Sequence, residues 1–170
     1  MFNKNEEGRP CIVDTNILID LHKGEILHLL FALPLEVSAP DVVLHEQVEP
    51  DRKMLQGMGL GTISLSSTQL VEVVQLSTQD AGLSMGDCAA FIAARDKGWV
   101  LLTGDKRLRQ KAEAAAVETH GVLWILDMIE DEGLLNSLEL AVSLQKMIDH
   151  GARLPTDECD KRFRRWSSSS

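Results

Sequence analysis

Four carboxylates lie at positions where an alternating strand and helix pattern would bring their charges together. Asp14 and Asp105 each follow a short apolar stretch directly, as residues at the carboxyl end of a buried strand do. Asp87 lies in the first turn of a predicted helix, and Glu46 lies about one turn into another. Because right-handed crossovers return parallel strands in one direction, the ends of the strands share one edge of the sheet. We therefore expect Asp14, Glu46, Asp87 and Asp105 to converge as catalytic residues.

The shared negative charge of these residues indicates the chemistry they could do. Two like charges about 4 Å apart repel by about 4 kcal/mol at an effective dielectric constant of about 20, so a cation should lie among them. Oxygen ligands without a His or Cys cluster favour Mg²⁺ or Mn²⁺, and a water on such an ion can attack a phosphate. We predict that Asp14, Asp87 and Asp105 bind the metal, while Asn16 and Thr103 support ligands or waters.

Each of these residues also has an ordinary structural explanation. Asp14, Asn16 or Asp105 could cap a helix, and Asp87 suits the first turn of a helix through its interaction with the helix dipole. Glu46 could be a solvated surface residue. These alternatives stay open for each residue taken alone, and only the predicted convergence favours a metal site.

Short apolar stretches separated by helical patterns indicate the fold. The predicted strands are residues 11–13, 35–38, 62–66, 99–103 and 117–119. Gly57, Gly59 and Gly61 are expected to interrupt the pattern before the third strand. The alternation predicts an α/β fold with a central parallel sheet, onto which two amphipathic helices from the last third of the chain pack as extra C-terminal helices.

The lengths of two elements place Asp87 beside the ends of the strands. A helix of about 13 residues after Ser84 advances about 19 Å at about 1.5 Å per residue. Residues 99–103 then return about 17 Å at about 3.3 Å per residue in a strand. The first turn of the helix and the end of the strand are therefore neighbours.

Composition and charge limit the possible classes of protein. The 170 residues are 44% hydrophobic and 25% charged, which indicates one globular domain. A net charge of −9 gives no overall attraction for nucleic acid, so any RNA contact needs a local basic surface. Cys11, Cys88 and Cys159 are widely spaced, which predicts reduced thiols. With a polar N-terminus and no long apolar run, we expect a cytoplasmic protein without a membrane segment.

Two basic segments could supply the local basic surface that an RNA contact needs. Lys106, Arg107 and Arg109 lie in a helix that begins at the proposed site, and we predict that they contact the RNA backbone. The second segment lies near the C-terminus and contains Lys161, Arg162, Arg164, Arg165 and Trp166. A basic helix face is usually only solvated, and this explanation stays open for both segments. We assign His45 and His120 to packing or surface roles.

At these same residues the sequence resembles the PIN-domain nucleases, especially the VapC-type toxins of bacterial toxin-antitoxin pairs. The matching blocks are IVDTNILIDL, DVVLHEQV, LSMGDCAAFIAARDKGWVLLTGDKRLR and, more loosely, HGVLWILDMIEDEGLL. They span most of residues 11–135, and their order and spacing together make the match more specific than any single block. The resemblance divides the chain into a polar segment at 1–10, a PIN-like nuclease domain at 11–150 and a basic tail at 151–170.

The resemblance implies a three-layer α/β/α fold and a metal-dependent endoribonuclease that uses Mg²⁺ or Mn²⁺. The acidic positions of the family fall on Asp14, Glu46, Asp87 and Asp105. The resemblance further implies an RNA substrate, a cognate antitoxin protein that blocks the cleft, and a homodimer formed through the early helices. Gly104 stands where some relatives carry another Asp, so one possible ligand is missing from this chain.

Two other hypotheses compete with the nuclease. The first is a PIN-fold module that is weakly active or inactive and only binds RNA or a protein partner, which Gly104 and the acidic composition would suit. The second is a phosphatase of the haloacid dehalogenase type, which also places Asp at strand ends. Its D-x-D signature would need Asp where Asn16 stands, so the sequence disfavours it.

Overall fold

The described residues form a parallel sheet with helices on both of its faces. The computed structural model describes residues 8–45 and 49–169. The strands are β1 Arg9–Val13, β2 Leu35–Pro40, β3 Gly61–Ile63, β4 Val100–Leu102 and β5 Thr119–His120. The sheet has the order β3-β2-β1-β4-β5, and every neighbouring pair is parallel. The predicted α/β fold with a central parallel sheet is therefore confirmed.

At least one helix follows each strand along the chain. Those in the first half of the chain are α1 Thr15–Lys23, α2 Leu27–Leu30, α3 Asp41–Leu44, α4 Arg52–Met58 and α5 Ser67–Gln79. Those in the second half are α6 Met85–Lys97, α7 Lys106–Ala114, α8 Val122–Asp131, α9 Ser137–Asp149 and α10 Thr156–Ser168. Among the described residues, no helix is both long and apolar enough to cross a membrane.

Alternate residues of the central strands face two separate helical layers, because successive side chains in a strand point to opposite faces. Cys11 and Val13 of β1 are buried in a core that they share with α1, α8, α9 and α10. Ile12 lies on the opposite face, in a core with α5, α6 and α7. The sheet is thus the middle of three layers, α/β/α.

The direction of chain winding reverses between β1 and β4. The chain leaves β1 toward β2 on one side and later returns to place β4 on the other side of β1. Val13 of β1 pairs with Leu102 of β4, so both strands end at the same height. In open parallel sheets such a reversal leaves a crevice beyond the carboxyl ends of the strands. This crevice lies between residues 14 and 103.

The glycine-containing segment before β3 departs from the prediction, because it contains helix α4. Asp51 caps this helix by accepting a hydrogen bond from the Met54 backbone N–H at 2.7 Å. Gly59 ends it at a φ of 118°, a left-handed conformation that only glycine adopts readily. Gly57 lies inside the helix, where its lower helix propensity is offset by the buried Leu55.

The fifth strand begins later than predicted. Residue 117 was expected in the strand, but the Val117 backbone N–H donates to the carbonyl of Ala112 at 2.9 Å, which closes the end of α7. Ala116 takes a φ of 57° to allow this turn. Only Thr119 and His120 pair with β4.

The basic C-terminal segment contains a helix that packs on the sheet layer. Along α10, Cys159 and Trp166 are buried in the same core as Cys11 and Val13. Trp166 is 2% exposed. The segment predicted as a basic tail therefore contributes apolar contacts to the main core.

Candidate functional site

Asp14 lies at the carboxyl end of β1, in the crevice where the winding reverses. Its backbone N–H donates to the Leu102 carbonyl at 2.9 Å, which continues the pairing of β1 with β4 by one residue. The side chain is only 3% exposed, which is unusual for a carboxylate. A buried charge is costly unless hydrogen bonds or an opposite charge compensate it, so its neighbours determine what it can do.

Thr103 compensates part of this cost from the end of β4. Its fully buried hydroxyl donates to Asp14 Oδ2 at 2.9 Å. The same hydroxyl oxygen accepts a hydrogen bond from the Asp105 backbone N–H at 3.1 Å. Thr103 thereby holds the Asp14 carboxylate and the start of α7 in a fixed relation, as the predicted supporting position would require.

Asp14 also caps α1. Its Oδ1 accepts hydrogen bonds from the Asn16 backbone N–H at 3.2 Å and from the Thr15 hydroxyl at 3.4 Å. Helix capping, one of the two explanations that the sequence left open, is therefore confirmed for Asp14. The side chain of Asn16 is exposed at the rim of the crevice, next to the capped end of the helix.

Asp105 caps α7, and Asp87 takes part in the cap of α6, whose N-cap residue is Ser84. Asp87 Oδ2 accepts from the Ser84 backbone N–H at 2.8 Å, and the Ser84 hydroxyl accepts from the Asp87 N–H at 3.0 Å, which completes a capping box. Asp105 Oδ1 accepts from the Leu108 N–H at 2.7 Å. Each carboxylate uses one oxygen in its cap. Its second oxygen accepts no hydrogen bond from the described part of the chain.

The pKa of Asp14 is affected by the two other carboxylates. Burial raises the pKa of Asp14, the Asp87 carboxylate raises it further, and Asp105 adds a smaller increase. The hydrogen bonds from Thr103 and Asn16 act in the opposite direction, and the resulting pKa is about 6. The structure therefore brings Asp87 and Asp105 within electrostatic reach of Asp14.

No positive side chain neutralises this acidic set within residues 8–45 and 49–169. Neither Asp14 nor Asp87 nor Asp105 forms an ion pair there. Across the same residues, no three His, Cys, Asp or Glu side chains are grouped closely enough to hold a metal ion. Glu46, the fourth predicted catalytic residue, lies outside the described residues.

The donor atoms of this acidic set are of the type that binds a divalent cation. The donors are carboxylate oxygens, which Mg²⁺ and Mn²⁺ prefer. Burial and the Asp87 and Asp105 carboxylates raise the pKa of Asp14. Asp87 and Asp105 each keep one oxygen that accepts no hydrogen bond from the described residues. By donor type Asp14, Asp87 and Asp105 are the candidate ligands, and in the arrangement described they are not grouped closely enough to hold an ion together.

Gly104 separates Thr103 from Asp105 and is exposed. A Cβ atom placed at this position would have no heavy atom within 4 Å. The backbone thus has room for a larger residue here.

The predicted RNA-binding residues of α7 have three different environments. Lys106 is exposed, and it makes no ion pair with any residue that the structure describes. Arg107 lies 3.6 Å from the Asp80 carboxylate and packs over Gly82. Arg109 is half-buried and donates to the Thr103 carbonyl at 3.0 Å. Lys106 and Arg109 therefore lie beside the crevice, whereas Arg107 points toward the loop before α6.

Much of the second basic segment is paired with acidic residues, and its contact with RNA stays a prediction. Arg162 binds the two oxygens of Asp127 at 2.9 and 2.5 Å, and Arg165 contacts both Asp127 and Glu130. Lys161 pairs with Glu158 within α10. Trp166 is buried, so it has no face available for a base. The basic residues that were expected to face RNA are largely neutralised by acidic residues of α8 and of α10 itself.

Sequence reasoning missed Arg153, an exposed residue of the connection between α9 and α10. Arg153 lines a cavity of about 310 Å³ together with Asn16, Gly104 and Asp105. It belongs to no periodic segment and to no motif. No signal in the sequence marks it as a neighbour of the acidic residues, because only the packing of α9 and α10 brings it there.

A model of the PIN domain family matches residues 10–168. The chain belongs to the PIN domain family. The PIN domain is a nuclease-type fold, and its nucleases typically use divalent metals. No curated protein matches this PIN domain. Among solved structures, it is similar to the crystal structure of PAE2754 from Pyrobaculum aerophilum, with a TM-score of 0.47 and 16% identity, over 69% of this chain and 94% of that chain.

Proposed function

We propose that this PIN-domain protein is a metal-dependent endoribonuclease that hydrolyses RNA phosphodiester bonds. The observation that carries the proposal is the buried carboxylate of Asp14, whose pKa Asp87 and Asp105 raise and which no described cation neutralises. Asp14, Asp87 and Asp105 would hold one or more Mg²⁺ or Mn²⁺ ions. Glu46, which lies beyond the described residues, would complete the acidic set or position the attacking water.

The protein groups around this site would act by positioning. Thr103 orients the Asp14 carboxylate, and the helix caps fix one oxygen each of Asp87 and Asp105. Such preorganisation leaves little rearrangement for the reaction to require. A bound Mg²⁺ or Mn²⁺ would supply an activated water and would stabilise the charge that develops on the phosphate. Lys106 and Arg109 lie where they could hold the RNA backbone beside this centre.

The biological part of the proposal is that the protein is the toxin of a toxin-antitoxin pair. A cognate antitoxin would then block the crevice, and a basic side chain inserted among Asp14, Asp87 and Asp105 would neutralise them. The toxin would act as a homodimer through its early helices. Co-expression with the product of the adjacent gene tests this part, because a cognate antitoxin should co-purify with the protein and abolish its cleavage of RNA.

The enzymatic part is tested by incubating purified protein with labelled single-stranded and structured RNAs in Mg²⁺ or Mn²⁺. We expect cleavage that EDTA stops and that Asp87→Asn abolishes. Asparagine keeps an oxygen that can accept the Ser84 N–H, so the variant should retain its capping box and its fold. If all RNAs remain intact with both metals, or if Asp87→Asn cleaves like wild type, the proposal is wrong.

A second hypothesis, a PIN-fold module that binds RNA or a partner without cleaving it, is favoured by one observation. The described residues hold no cluster of three ligating side chains, and Gly104 supplies no further carboxylate. Such a module would bind RNA equally well in EDTA and would leave it uncut. The cleavage assay therefore separates the two hypotheses directly.

A further inference from the structure

A second cavity lies beside the acidic site and differs from it in charge. Its volume is about 460 Å³, which lies within the range of small-molecule binding sites. It shares Gly104, Val122, Arg153 and Leu154 with the 310 Å³ cavity that Asn16 and Asp105 line. The two cavities are therefore adjoining parts of one groove, and we call this second part the basic pocket.

Positive charge dominates the lining of the basic pocket. Lys106, Arg109 and Arg153 line it, and none of the three forms an ion pair with a carboxylate in the described ranges 8–45 and 49–169. The carboxylate among the lining residues is that of Glu158, which is hydrogen-bonded to Lys161 and Arg162. In a chain with a net charge of −9, three unpaired cations around one cavity indicate an anionic ligand.

An aromatic pair forms another wall of the pocket. The rings of His120 and Trp124 are stacked, with their centroids 4.1 Å apart and their planes 10° from parallel. Both residues line the pocket and both are half-buried. Single-stranded nucleic acid binds proteins through this combination, in which cations track the phosphates and bases stack on aromatic rings. The pocket combines both features, and its lining residues Gly104 and Lys106 flank Asp105 in the sequence.

We propose that the basic pocket binds one nucleotide of a single-stranded RNA, next to the phosphodiester that the acidic site cleaves. Lys106 and Arg153 hold the phosphate on that side, Arg109 lies behind them against the Thr103 carbonyl, and the base stacks against the His120–Trp124 pair. This inference rests on the proposed nuclease function for its position in the substrate. The binding itself needs no metal and no catalysis.

The test measures RNA binding in EDTA, so that cleavage cannot interfere. A 5′-labelled single-stranded RNA of about ten nucleotides is titrated with the full chain and followed by fluorescence anisotropy. We expect Lys106→Gln and Arg153→Gln each to weaken binding about tenfold. The double variant should also reduce the slope of log K against log salt by about 0.7, since the two residues hold one phosphate and each neutralised phosphate on a single strand contributes about 0.7. Lys97→Gln, at the opposite end of α6, should bind as wild type does.

Tryptophan fluorescence supplies a second readout that reports stacking. RNA should quench the fluorescence of the wild type, and Trp124→Phe should lose most of this quenching while keeping the apolar packing of the side chain. Trp99 lies with Arg95 at the other end of the sheet and Trp166 is buried, so neither should respond. A duplex of the same sequence should bind more weakly, because its bases cannot enter the pocket.

Two results would contradict the proposal that the basic pocket binds a nucleotide. If Lys106→Gln and Arg153→Gln bind RNA as the wild type does, these residues do not contact a phosphate. If RNA quenches the fluorescence of Trp124→Phe as much as that of the wild type, no base stacks on Trp124. Either result is compatible with metal-dependent cleavage by the wild type, which would leave the nuclease proposal intact. Conversely, pocket-dependent RNA binding without cleavage in Mg²⁺ or Mn²⁺ would support the pocket and reject the nuclease.

Discussion

The hydroxyl of Thr103 donates a hydrogen bond to Asp14 across the ends of two neighbouring strands, with 2.9 Å between the oxygens. The same oxygen accepts from the Asp105 backbone N–H at 3.1 Å. One buried hydroxyl thus connects the Asp14 carboxylate to the backbone of Asp105 at the start of α7. Because both bonds fix groups at the point where the sheet changes direction, Thr103 links the stability of the fold to the geometry of the site.

Removing this hydroxyl should destabilise the protein. Thr103→Val keeps the shape of the side chain but leaves the buried Asp14 carboxylate without one hydrogen bond, and bonds to charged groups contribute about 1.5–3 kcal/mol. We expect a loss of that order in the free energy of unfolding at pH 7, measured by urea denaturation without metal. Thr103→Ser, which keeps the hydroxyl, should lose much less. Equal losses in the two variants would show that the hydrogen bond is unimportant.

The raised pKa of Asp14 predicts how stability depends on pH. A carboxyl group whose pKa rises to about 6 on folding favours the folded state at low pH, and this contribution is lost as the pH rises through about 6. From pH 4 to pH 7 the loss should be on the order of 3 kcal/mol in the metal-free wild type. Asp14→Asn should lack this loss, so its stability relative to wild type should increase with pH.

Chemical denaturation at intervals between pH 4 and pH 7.5 measures this difference. Asp131→Asn, which alters an exposed residue at the end of α8, is the matched control and should follow the wild-type curve. Parallel curves for wild type and Asp14→Asn would contradict the assignment of the raised pKa to Asp14.

The sequence predicts the acidic residues better than the basic ones, for a physical reason. Asp14 and Asp105 were located by the ends of apolar strands, and Asp87 by the lengths of one helix and one strand. These are consequences of backbone geometry, which parallel topology imposes on any sequence of this pattern. The structure accordingly brings Asp87 and Asp105 within electrostatic reach of Asp14.

The surroundings of the basic residues depend on tertiary packing that no local pattern encodes. Arg162 looks like a surface cation, but the packing of α10 against α8 places it over Asp127. Arg153 occupies an irregular connection and lies beside the crevice because α9 ends and α10 begins there. His120 was assigned to packing or the surface, and its stacking on Trp124 depends on the turn between β5 and α8.

The ion pairs of Arg162 should be structural. Arg162 is 12% exposed in its side chain and binds Asp127 through both carboxylate oxygens. Arg162→Gln would leave Asp127 partly buried without this partner, so we expect a loss of about 1–3 kcal/mol in the free energy of unfolding. Arg164→Gln, an exposed change on the same helix, should stay within about 0.5 kcal/mol of wild type. Thermal and urea denaturation of the two variants measure this contrast, and equal stabilities would refute it.

Gly104→Asp should strengthen metal binding without disturbing the fold. The position is exposed and open, since no heavy atom would lie within 4 Å of a Cβ atom there. An added carboxylate beside Asp105 should raise the affinity for Mn²⁺ about tenfold, because it increases the negative charge of the site. Isothermal titration calorimetry measures the affinity, and Gly104→Asn separates the effect of charge from that of size. A gain of equal size with asparagine would contradict the electrostatic explanation.

The central claim is that Asp14, Asp87 and Asp105 together form a divalent-metal site, and a calorimetric titration with Mn²⁺ at pH 7.5 tests it most directly. Asp105→Asn is the most informative variant, because asparagine is as good a helix cap as aspartate and should preserve α7. We predict that the wild type and Asp131→Asn bind Mn²⁺ alike, and that Asp105→Asn and Asp87→Asn each bind at least about tenfold more weakly. Wild-type protein that binds no Mn²⁺, or Mn²⁺ binding that survives both substitutions unchanged, would contradict the claim.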